Sequence, residues 1–332
     1  MKPKRLSSIL IMVMATLGFL YSCVGDGKTD YDTDENAARM QLFVEDISAY
    51  AKGINPDFII IPQNGAELAY NYTDPDEGVN TDYTDAIDGF GIEELFYNAD
   101  GVLDVNNDVL GILEDFVSSK KVMVSDYVPN DDARDSSIQM NKEEGFISFP
   151  RIKDSDKAKD NYDYKLIPST PIADKYPPDN IITLVDAQNY LYLISTENFA
   201  DKNAMLTAIE ATNYDVVLID LFFNGVPLTK DDIIQLKTKH DGGKRLVIAY
   251  VSIGSAENYR YYWKPGWRKG NPSWIKKDYE GYPDEYWVEY WNQEWQDIIY
   301  GNDDSYIKKI IDAGFDGAYL DNVEAYYFLG NN

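Results

Sequence analysis

The hydrophobic residues of this chain fall into short uninterrupted runs that alternate with longer amphipathic or polar segments. A short apolar run bounded by turn-forming residues is typical of a strand that is buried on both faces. Eight runs fit this description, and they predict strands at 58–61, 86–92, 122–124, 146–149, 190–194, 216–219, 246–251 and 317–320.

Helical patterns lie between these runs. Met40, Phe43, Val44 and Ile47 recur at intervals of three and four residues, which predicts an amphipathic helix ahead of the first strand. Thr229 is predicted to cap a helix over 230–237, with Asp232 in the partner position of a capping box.

The alternation of buried strands with helices predicts an α/β fold with a parallel sheet covered on both faces. Eight such units fit a closed (β/α)8 TIM barrel better than an open sheet. We therefore expect one domain over 37–332. The sequence shows no internal repeat of the kind that marks a solenoid.

Composition and charge restrict the partners. Hydrophobic residues make up 44% of the 332 positions, which is ample for a large core, and the formal net charge is −27. Nucleic acid is excluded as a partner because phosphate binding relies on clustered Lys and Arg. A polyanionic substrate is disfavoured for the same reason, whereas a neutral or cationic one is not.

The amino-terminal residues predict export. Lys2, Lys4 and Arg5 precede an apolar stretch over 9–20, and Cys23 is the only cysteine. Residues 1–23 resemble a bacterial lipoprotein signal peptide, which implies lipidation at Cys23 and a periplasmic or surface location in the cell envelope. The lipid would be the only membrane contact, and 24–36 is predicted to be a flexible tether. An ordinary secretory signal is the alternative.

Several chemistries are unsupported. His240 is the only histidine, and the only cysteine is the predicted lipidation site, so a zinc site and a Cys–His nucleophile are excluded. No Gly-rich phosphate loop is present. We expect neither a metal nor a cofactor.

Acidic residues follow several of the predicted strands, where an α/β barrel places its active site. Asp220, Asp321, Glu93 and Asp126 are the candidates. Any one of them could instead cap a helix or bond to a loop.

Segments spread over most of the chain resemble the family 114 glycoside hydrolases, the endo-α-1,4-polygalactosaminidase-like barrels. The segments are Asp-Val-Val-Leu-Ile-Asp (215–220), Ala-Tyr-Val-Ser-Ile-Gly-Ser-Ala-Glu (249–257) with Tyr259 and Arg260, Gly-Phe-Asp-Gly-Ala-Tyr-Leu-Asp-Asn (314–322), Pro-Gln-Asn-Gly (62–65) with Glu67 and Leu68, Asp88 and Gly89 with Ile-Glu-Glu-Leu-Phe-Tyr (92–97), and Asp126 with Tyr127.

The order of the two blocks differs from the family. The block that resembles the family's first half lies at 186–332 and the one that resembles its second half lies at 37–150. The chain thus resembles a circular permutant opened after the fourth family strand, with 151–185 as the linker between the original ends. A misassembled gene model and two half-barrels that complete each other between chains are the alternatives.

The resemblance implies a glycosidase that acts with two carboxyl groups on an amino-sugar-containing polysaccharide. The family places an Asp after its fourth strand and a Glu after its sixth. These positions correspond to Asp321, expected to be the nucleophile or charge stabiliser, and to Glu93, expected to be the general acid/base.

Substrate contacts are expected from the polar and aromatic residues around this pair. All six tryptophans lie between Trp263 and Trp295, and flat rings suit stacking on sugars. Two or three rings are expected to reach the cleft, while others pack a local core. The predicted substrate-binding residues are Asp220, Glu257, Tyr259, Trp263, Gln63, Asn64, Asn322, Glu324, Asp126 and Tyr127.

One departure from the family supports an alternative function. Ser255 stands where many relatives carry a Glu, so that Glu257 is the only acid in that loop. The alternative is a non-catalytic carbohydrate-binding barrel lipoprotein.

Overall fold

The computed structural model describes residues 30–152, 166–168 and 179–330. The predicted signal peptide 1–23 with Cys23, residues 24–29 of the tether and most of the linker lie outside the described residues. Of the helices in these ranges, none combines the length and apolarity that crossing a membrane requires.

The described ranges contain fifteen strands, most of them short. They are β1 (Ile59–Pro62), β2 (Gly89–Glu93), β3 (Lys121–Ser125), β4 (Tyr127–Val128), β5 (Ile147–Ser148), β6 (Arg151–Ile152), β7 (Tyr190–Leu193), β8 (Val216–Asp220), β9 (Phe222–Phe223), β10 (Val226–Pro227), β11 (Leu246–Ser252), β12 (Ser255–Glu257), β13 (Ile275–Asp278), β14 (Glu285–Val288) and β15 (Gly317–Asp321).

Nine α-helices lie in the same ranges, together with short 3₁₀ turns at Ala66–Ala69, Asn71–Thr73, Pro75–Glu77 and Leu184–Asp186. The helices are α1 (Asp30–Ile54), α2 (Thr81–Ala86), α3 (Asn107–Phe116), α4 (Asp131–Glu143), α5 (Lys202–Glu210), α6 (Lys230–Leu236), α7 (Gln293–Ile299), α8 (Tyr306–Ala313) and α9 (Ala325–Gly330).

Parallel pairing dominates the sheets. One sheet has the order β1-β15-β11-β8-β7 and a second has the order β2-β3-β5, and every pair in both is parallel. A parallel bridge between Gln63 and Gly91 links the end of β1 to β2. Each of the eight predicted strands is present, so the predicted α/β class is confirmed.

An antiparallel sheet, β12-β14-β13, is inserted between β11 and β15. The segment between β11 and β15 that carries this sheet also contains all six tryptophans. Its pairing places Glu257 opposite Glu285 and Ser255 opposite Trp287. The insertion starts directly after the carboxyl end of β11, so its side chains can reach the ends of the parallel strands.

The helix boundaries follow from local hydrogen bonding. The predicted capping box at Thr229 and Asp232 is confirmed at the start of α6. Asparagine or aspartate side chains accept a hydrogen bond from a backbone N–H at the start of α2, α3, α4, α5 and α7.

The first helix begins at Asp30, so residues 30–36, predicted as tether, are helical. Asn36 is buried there and its carbonyl accepts a hydrogen bond from the Tyr290 hydroxyl, which fixes this turn to the core.

Large side chains fill the space between the parallel strands. The rings of Tyr192 and Tyr319 lie 5.7 Å apart, and the Tyr192 hydroxyl donates to Gln63 Oε1 at 3.1 Å. A Cβ on Gly91 would lie 2.0 Å from the Tyr319 hydroxyl oxygen. The glycine therefore makes room for the tyrosine.

Candidate active site

Polar side chains gather at the carboxyl edge of the parallel strands. Because these strands run in one direction, their carboxyl ends share one edge. The residues that end a strand or follow it there are Asp220 of β8, Ser252 of β11, Asp321 of β15, Gln63 and Asn64 after β1, and Glu93 of β2.

Asp321 is half-buried at the end of β15. Its Oδ2 accepts a hydrogen bond of 2.5 Å from the Tyr250 hydroxyl, and its Oδ1 accepts one of 2.8 Å from the Asn322 backbone N–H. Burial, opposed by the Tyr250 bond and reinforced by the charge of Glu93, raises the pKa of Asp321 to about 7. Asp321 and Glu93 therefore lie within electrostatic reach of each other.

Glu93 ends β2 on the far side of β1 from Asp321. The Tyr127 hydroxyl donates to its Oε1 at 3.1 Å, and its backbone N–H donates to Asn64 Oδ1 at 3.0 Å. Tyr127 and Asn64, both predicted to bind substrate, thus contact Glu93.

Glu94, the neighbouring acid, has a different role. Its backbone is left-handed, with φ 58°, and its Oε2 accepts a hydrogen bond of 2.8 Å from the backbone N–H of Ala99. Burial raises its pKa to about 7 against the effect of that bond. Glu94 therefore holds the loop that follows β2.

Asn64 joins two acids. While its Oδ1 accepts from Glu93, its Nδ2 donates to Glu324 Oε1 at 2.8 Å. Burial, together with the charges of Asp321 and Glu93, raises the pKa of Glu324 to about 8. Glu93 and Glu324 are thus linked through one amide side chain.

Asn322, the residue after β15, organises the other side of the site. Its backbone is left-handed, with φ 63°, and its Nδ2 lies 2.9 Å from Ser252 Oγ and 3.1 Å from Ser255 Oγ. Its Oδ1 accepts a hydrogen bond of 3.0 Å from the Tyr279 hydroxyl. A Cβ on Gly254 would lie 1.9 Å from the Asn322 carbonyl oxygen, so only glycine fits there.

Glu285 is a further carboxyl group at this edge, and the sequence did not predict it. It comes from β14, and its Oε1 accepts hydrogen bonds from the Ser255 hydroxyl and, at 3.3 Å, from Asn322 Nδ2. Burial and the charges of Glu257 and Asp321, opposed by the Ser255 bond, raise the pKa of Glu285 to about 8. Ser255 thus contacts a carboxyl group that β14 supplies.

Asp220 and Glu257 lie in a buried ion-pair network around Arg260. The guanidinium bonds to Asp220 Oδ2 at 2.6 Å through Nη1, and to Glu257 at 2.5 Å through Nε and at 3.0 Å through Nη2. The Tyr259 hydroxyl donates to Glu257, while the Tyr259 side chain stays exposed. The two carboxylates predicted to bind substrate therefore hold this arginine.

Asp126 is fully buried. Burial raises its pKa even though four donors oppose that effect. The donors are the backbone N–H groups of Phe96 and Tyr97, the Ser137 hydroxyl and the Asn141 amide. Asp126 thus joins the loop after β2 to α4, and its burial leaves no surface for a ligand.

The tryptophans pack mainly on one another. Neighbouring rings in the series Trp263, Trp267, Trp274 and Trp295 lie 5.0–5.5 Å apart. Trp263 also stacks on Tyr286 at 5.4 Å. Most of these rings build the core of the insertion.

A cavity of about 460 Å³ lies beside this core, and none of the predicted site residues lines it. Its lining residues are Lys264, Trp267, Pro272, Trp274, Glu294, Asp297 and Ile298. Among the described residues, no group of three His, Cys, Asp or Glu side chains is arranged to hold a metal ion.

Coupled carboxyl groups at the carboxyl edge of a parallel sheet are the groups on which glycosidases rely. Residues 187–332 match the model of Glycoside-hydrolase family GH114. This part of the chain is therefore similar to the family 114 glycoside hydrolases, a family of glycosidases. The match coincides with the block predicted to resemble the family's first half.

Three curated relatives share part of the chain. A protein from Thermotoga maritima is 32% identical over 140 residues, covering 42% of this chain and 40% of that protein. One from Methanocaldococcus jannaschii is 36% identical over 131 residues, covering 40% and 36%. One from Deinococcus radiodurans is 34% identical over 122 residues, covering 36% and 37%. The chain thus spans about two fifths of the length of each, and all three are described as uncharacterized proteins.

Proposed function

We propose that this protein hydrolyses the glycosidic bonds of an amino-sugar-containing polysaccharide, in the manner of an endo-α-1,4-polygalactosaminidase. The observation that carries the proposal is the pair Asp321 and Glu93, two acids at the carboxyl ends of β15 and β2 that interact electrostatically. Glycosidic cleavage needs one carboxyl group to protonate the leaving oxygen and a second to act on the opposite face of the sugar.

The roles follow from the contacts of each acid. Asp321 is the nucleophile or charge stabiliser, since Tyr250 and the Asn322 backbone hold its two oxygens. Glu93 is the general acid/base, held by the Tyr127 hydroxyl. A cationic amino sugar bound beside Asp321 would lower its pKa from about 7 and so favour the ionised form that the mechanism needs.

The carboxyl groups of the site support a cationic substrate. Burial raises the pKa values of Asp321, Glu324 and Glu285 to about 7 to 8, and a cation bound at this edge would favour their ionised forms. The whole chain carries a formal charge of −27, which attracts a polycation over long range. Partly deacetylated α-1,4-galactosaminan has this chemistry.

A closed barrel would place both acids on one face of the molecule. The parallel order β7-β8-β11-β15-β1-β2-β3-β5 closes if β5 meets β7. The rings of Phe149 and Tyr190 lie 5.8 Å apart across that gap, and the Arg151 guanidinium lies 4.3 Å from the centre of the Tyr192 ring. These contacts support a (β/α)8 barrel.

Circular permutation is part of the same proposal. Pairing of β15 with β1 joins the end of one block to the start of the other within a single chain. A Cβ on Gly330 would lie 2.9 Å from Thr33 Oγ1, so the end of α9 lies against the start of α1. Both contacts support new chain ends between neighbouring strands, and pairing within one chain favours this over half-barrels that need a partner.

The contact between Glu285 and Ser255 bears on the binding-only alternative. Ser255 favours that alternative because the loop lacks a carboxyl group at this position. The Ser255 hydroxyl, however, donates to Glu285, which supplies a carboxyl group at the same place. We therefore favour catalysis.

The test is to incubate protein lacking residues 1–23 with partly deacetylated α-1,4-galactosaminan and to count new reducing ends. The fully acetylated polymer is the matched control for charge. We expect ends from the deacetylated polymer. Retention of the polymer without new ends would move the protein to the binding-only class.

We also propose that the protein is exported and anchored by lipid at Cys23. Support comes from the sequence alone, namely the basic residues, the apolar stretch and the single cysteine. Metabolic labelling with palmitate should mark the wild type and leave Cys23→Ser unlabelled; equal labelling of both would contradict the proposal.

A further inference from the structure

Tyr282 is the exposed aromatic residue of the loop that joins β13 to β14. It keeps 54% of its surface accessible. Its own N–H donates to the Tyr279 carbonyl at 3.3 Å, and its carbonyl accepts from the Glu285 N–H at 3.1 Å. The loop is therefore closed by backbone hydrogen bonds, and Tyr282 has a fixed position at its tip.

A ladder of rings supports this tyrosine from below. Tyr282 meets Tyr279 edge-on with centres 5.4 Å apart, Tyr279 stacks on Trp287 at 4.3 Å, and Trp287 stacks on Phe328 of α9 at 4.7 Å. Aromatic contacts of these geometries are favourable beyond the area they bury. Tyr282 is the exposed end of a ladder whose other members are more buried.

The ladder leads to the catalytic edge. The Tyr279 hydroxyl donates to Asn322, the residue after Asp321. Partial burial and the charges of Glu93, Glu285 and Asp321 raise the pKa of Tyr282 to about 12. Tyr282 contacts Tyr279, whose hydroxyl holds the side chain of the residue after Asp321.

We propose that Tyr282 is the stacking platform for a sugar ring bound next to the scissile bond, held in place by Tyr279 and Trp287. This inference rests on the proposed function and adds a subsite to it. The sequence predicted Trp263 for such a contact, but the Trp263 ring packs on Trp267 and Tyr286. Tyr282 offers an exposed ring that rests on Tyr279, and Tyr279 is bonded to Asn322 next to Asp321.

The test measures binding of a galactosamine oligosaccharide to the full chain carrying Asp321→Asn, which prevents turnover. Adding Tyr282→Ala should raise Kd about ten-fold, because one ring contact is lost. Tyr282→Trp and Tyr282→Phe keep a ring and should stay near the parent. Tyr50→Ala is the control. Tyr50 lies near the carboxyl end of α1, which leads into the amino end of β1, whereas the proposed site lies at the carboxyl ends of the strands.

A kinetic measurement separates substrate binding from general damage. In the otherwise native enzyme, Tyr282→Ala should raise KM about ten-fold and leave kcat almost unchanged, as expected for a contact made equally before and during reaction. Equal Kd values for the Asp321→Asn parent and its Tyr282→Ala derivative would overturn the platform and leave hydrolysis standing. Absence of any binding or cleavage by the wild type would overturn the proposed function and the platform together.

Discussion

The hydroxyl of Ser255 donates a hydrogen bond to the carboxylate of Glu285, although the two residues belong to different strands of the antiparallel insertion. Asn322 contacts both side chains through its Nδ2 and holds Asp321 through its backbone N–H. The insertion is therefore bonded directly to Asn322 and, through it, to Asp321, which we propose as the nucleophile or charge stabiliser.

This contact predicts that a carboxyl group at position 255 can replace the one that Glu285 supplies. Ser255→Glu alone adds a second carboxyl beside Glu285 in a buried place, and we expect kcat to fall about 100-fold. Glu285→Ser alone removes the carboxyl and should also impair catalysis. The double variant has one carboxyl again and should recover most of kcat. Losses in the double variant that equal the sum of both single losses would show that the two positions are independent.

The ion pairs of Arg260 predict a large stability effect. Arg260→Ala leaves Asp220 and Glu257 buried without their cation, and the free energy of unfolding should fall by about 3–5 kcal/mol. Arg134 provides the matched control because it pairs with exposed aspartates, and Arg134→Ala should cost about 1 kcal/mol or less. Denaturant titration measures both. Equal losses would mean that the Arg260 network has no special role in stability.

Raised carboxyl pKa values predict that the protein is more stable in mild acid. The folded protein holds protons on Asp321, Glu285 and Glu324 up to about pH 7 to 8, whereas the unfolded chain loses them near the ordinary values of 3.8 and 4.5. Stability from these groups is therefore fully present below about pH 4 and is lost as the pH rises through 7 to 8.

For this reason the free energy of unfolding of the wild type, measured from about pH 5 to about pH 9, should fall as the pH rises. Glu285→Gln and Glu324→Gln remove the titrating groups and should flatten the curve. Glu114→Gln on α3 removes the same charge from an exposed position and should not. A slope that is identical in all three variants would assign the effect to overall charge.

The raised pKa of Asp321 also predicts the acid limb of the pH–rate profile. Asp321 must be ionised to act as nucleophile, so kcat/KM should rise with pH through about 7, the value for the free protein. With a cationic polymer bound, the limb in kcat should lie at lower pH. A kcat/KM limb below about pH 5, where ordinary carboxyls titrate, would contradict the burial effect on Asp321.

The strand pattern was readable from the sequence because buried parallel strands are continuous apolar runs. Ile59 to Pro62 and Gly317 to Asp321 show this most clearly, and the acids after such runs came with them. This pattern marked Asp321 and Glu93 as candidates, and the resemblance to family 114 selected them as the proposed pair. The sequence did not show which of the acids at strand ends is accessible. Asp126 follows a buried strand as Glu93 does, but Asp126 is buried and accepts hydrogen bonds from four donors.

Glu285 and Tyr282 had no local signal. Glu285 reaches the site because the register of β12 with β14 sets it opposite Glu257, and that register depends on how the insertion folds. Tyr282 is one of 27 tyrosines in the sequence. It is distinguished only in the folded protein, where it lies on Tyr279, which in turn stacks on Trp287. Trp263 was favoured because tryptophan suits sugar stacking, but a cluster of tryptophans also packs well on itself.

The most direct test of the catalytic pair compares kcat on partly deacetylated α-1,4-galactosaminan for the wild type, Glu93→Gln, Asp321→Asn and the double variant, each checked for an unchanged fold by circular dichroism. Each single variant should lose about 10²–10⁴-fold, and the double variant should lose little more, because both groups act in one step. A single variant that keeps more than about a tenth of the wild-type kcat would contradict the assignment of that acid.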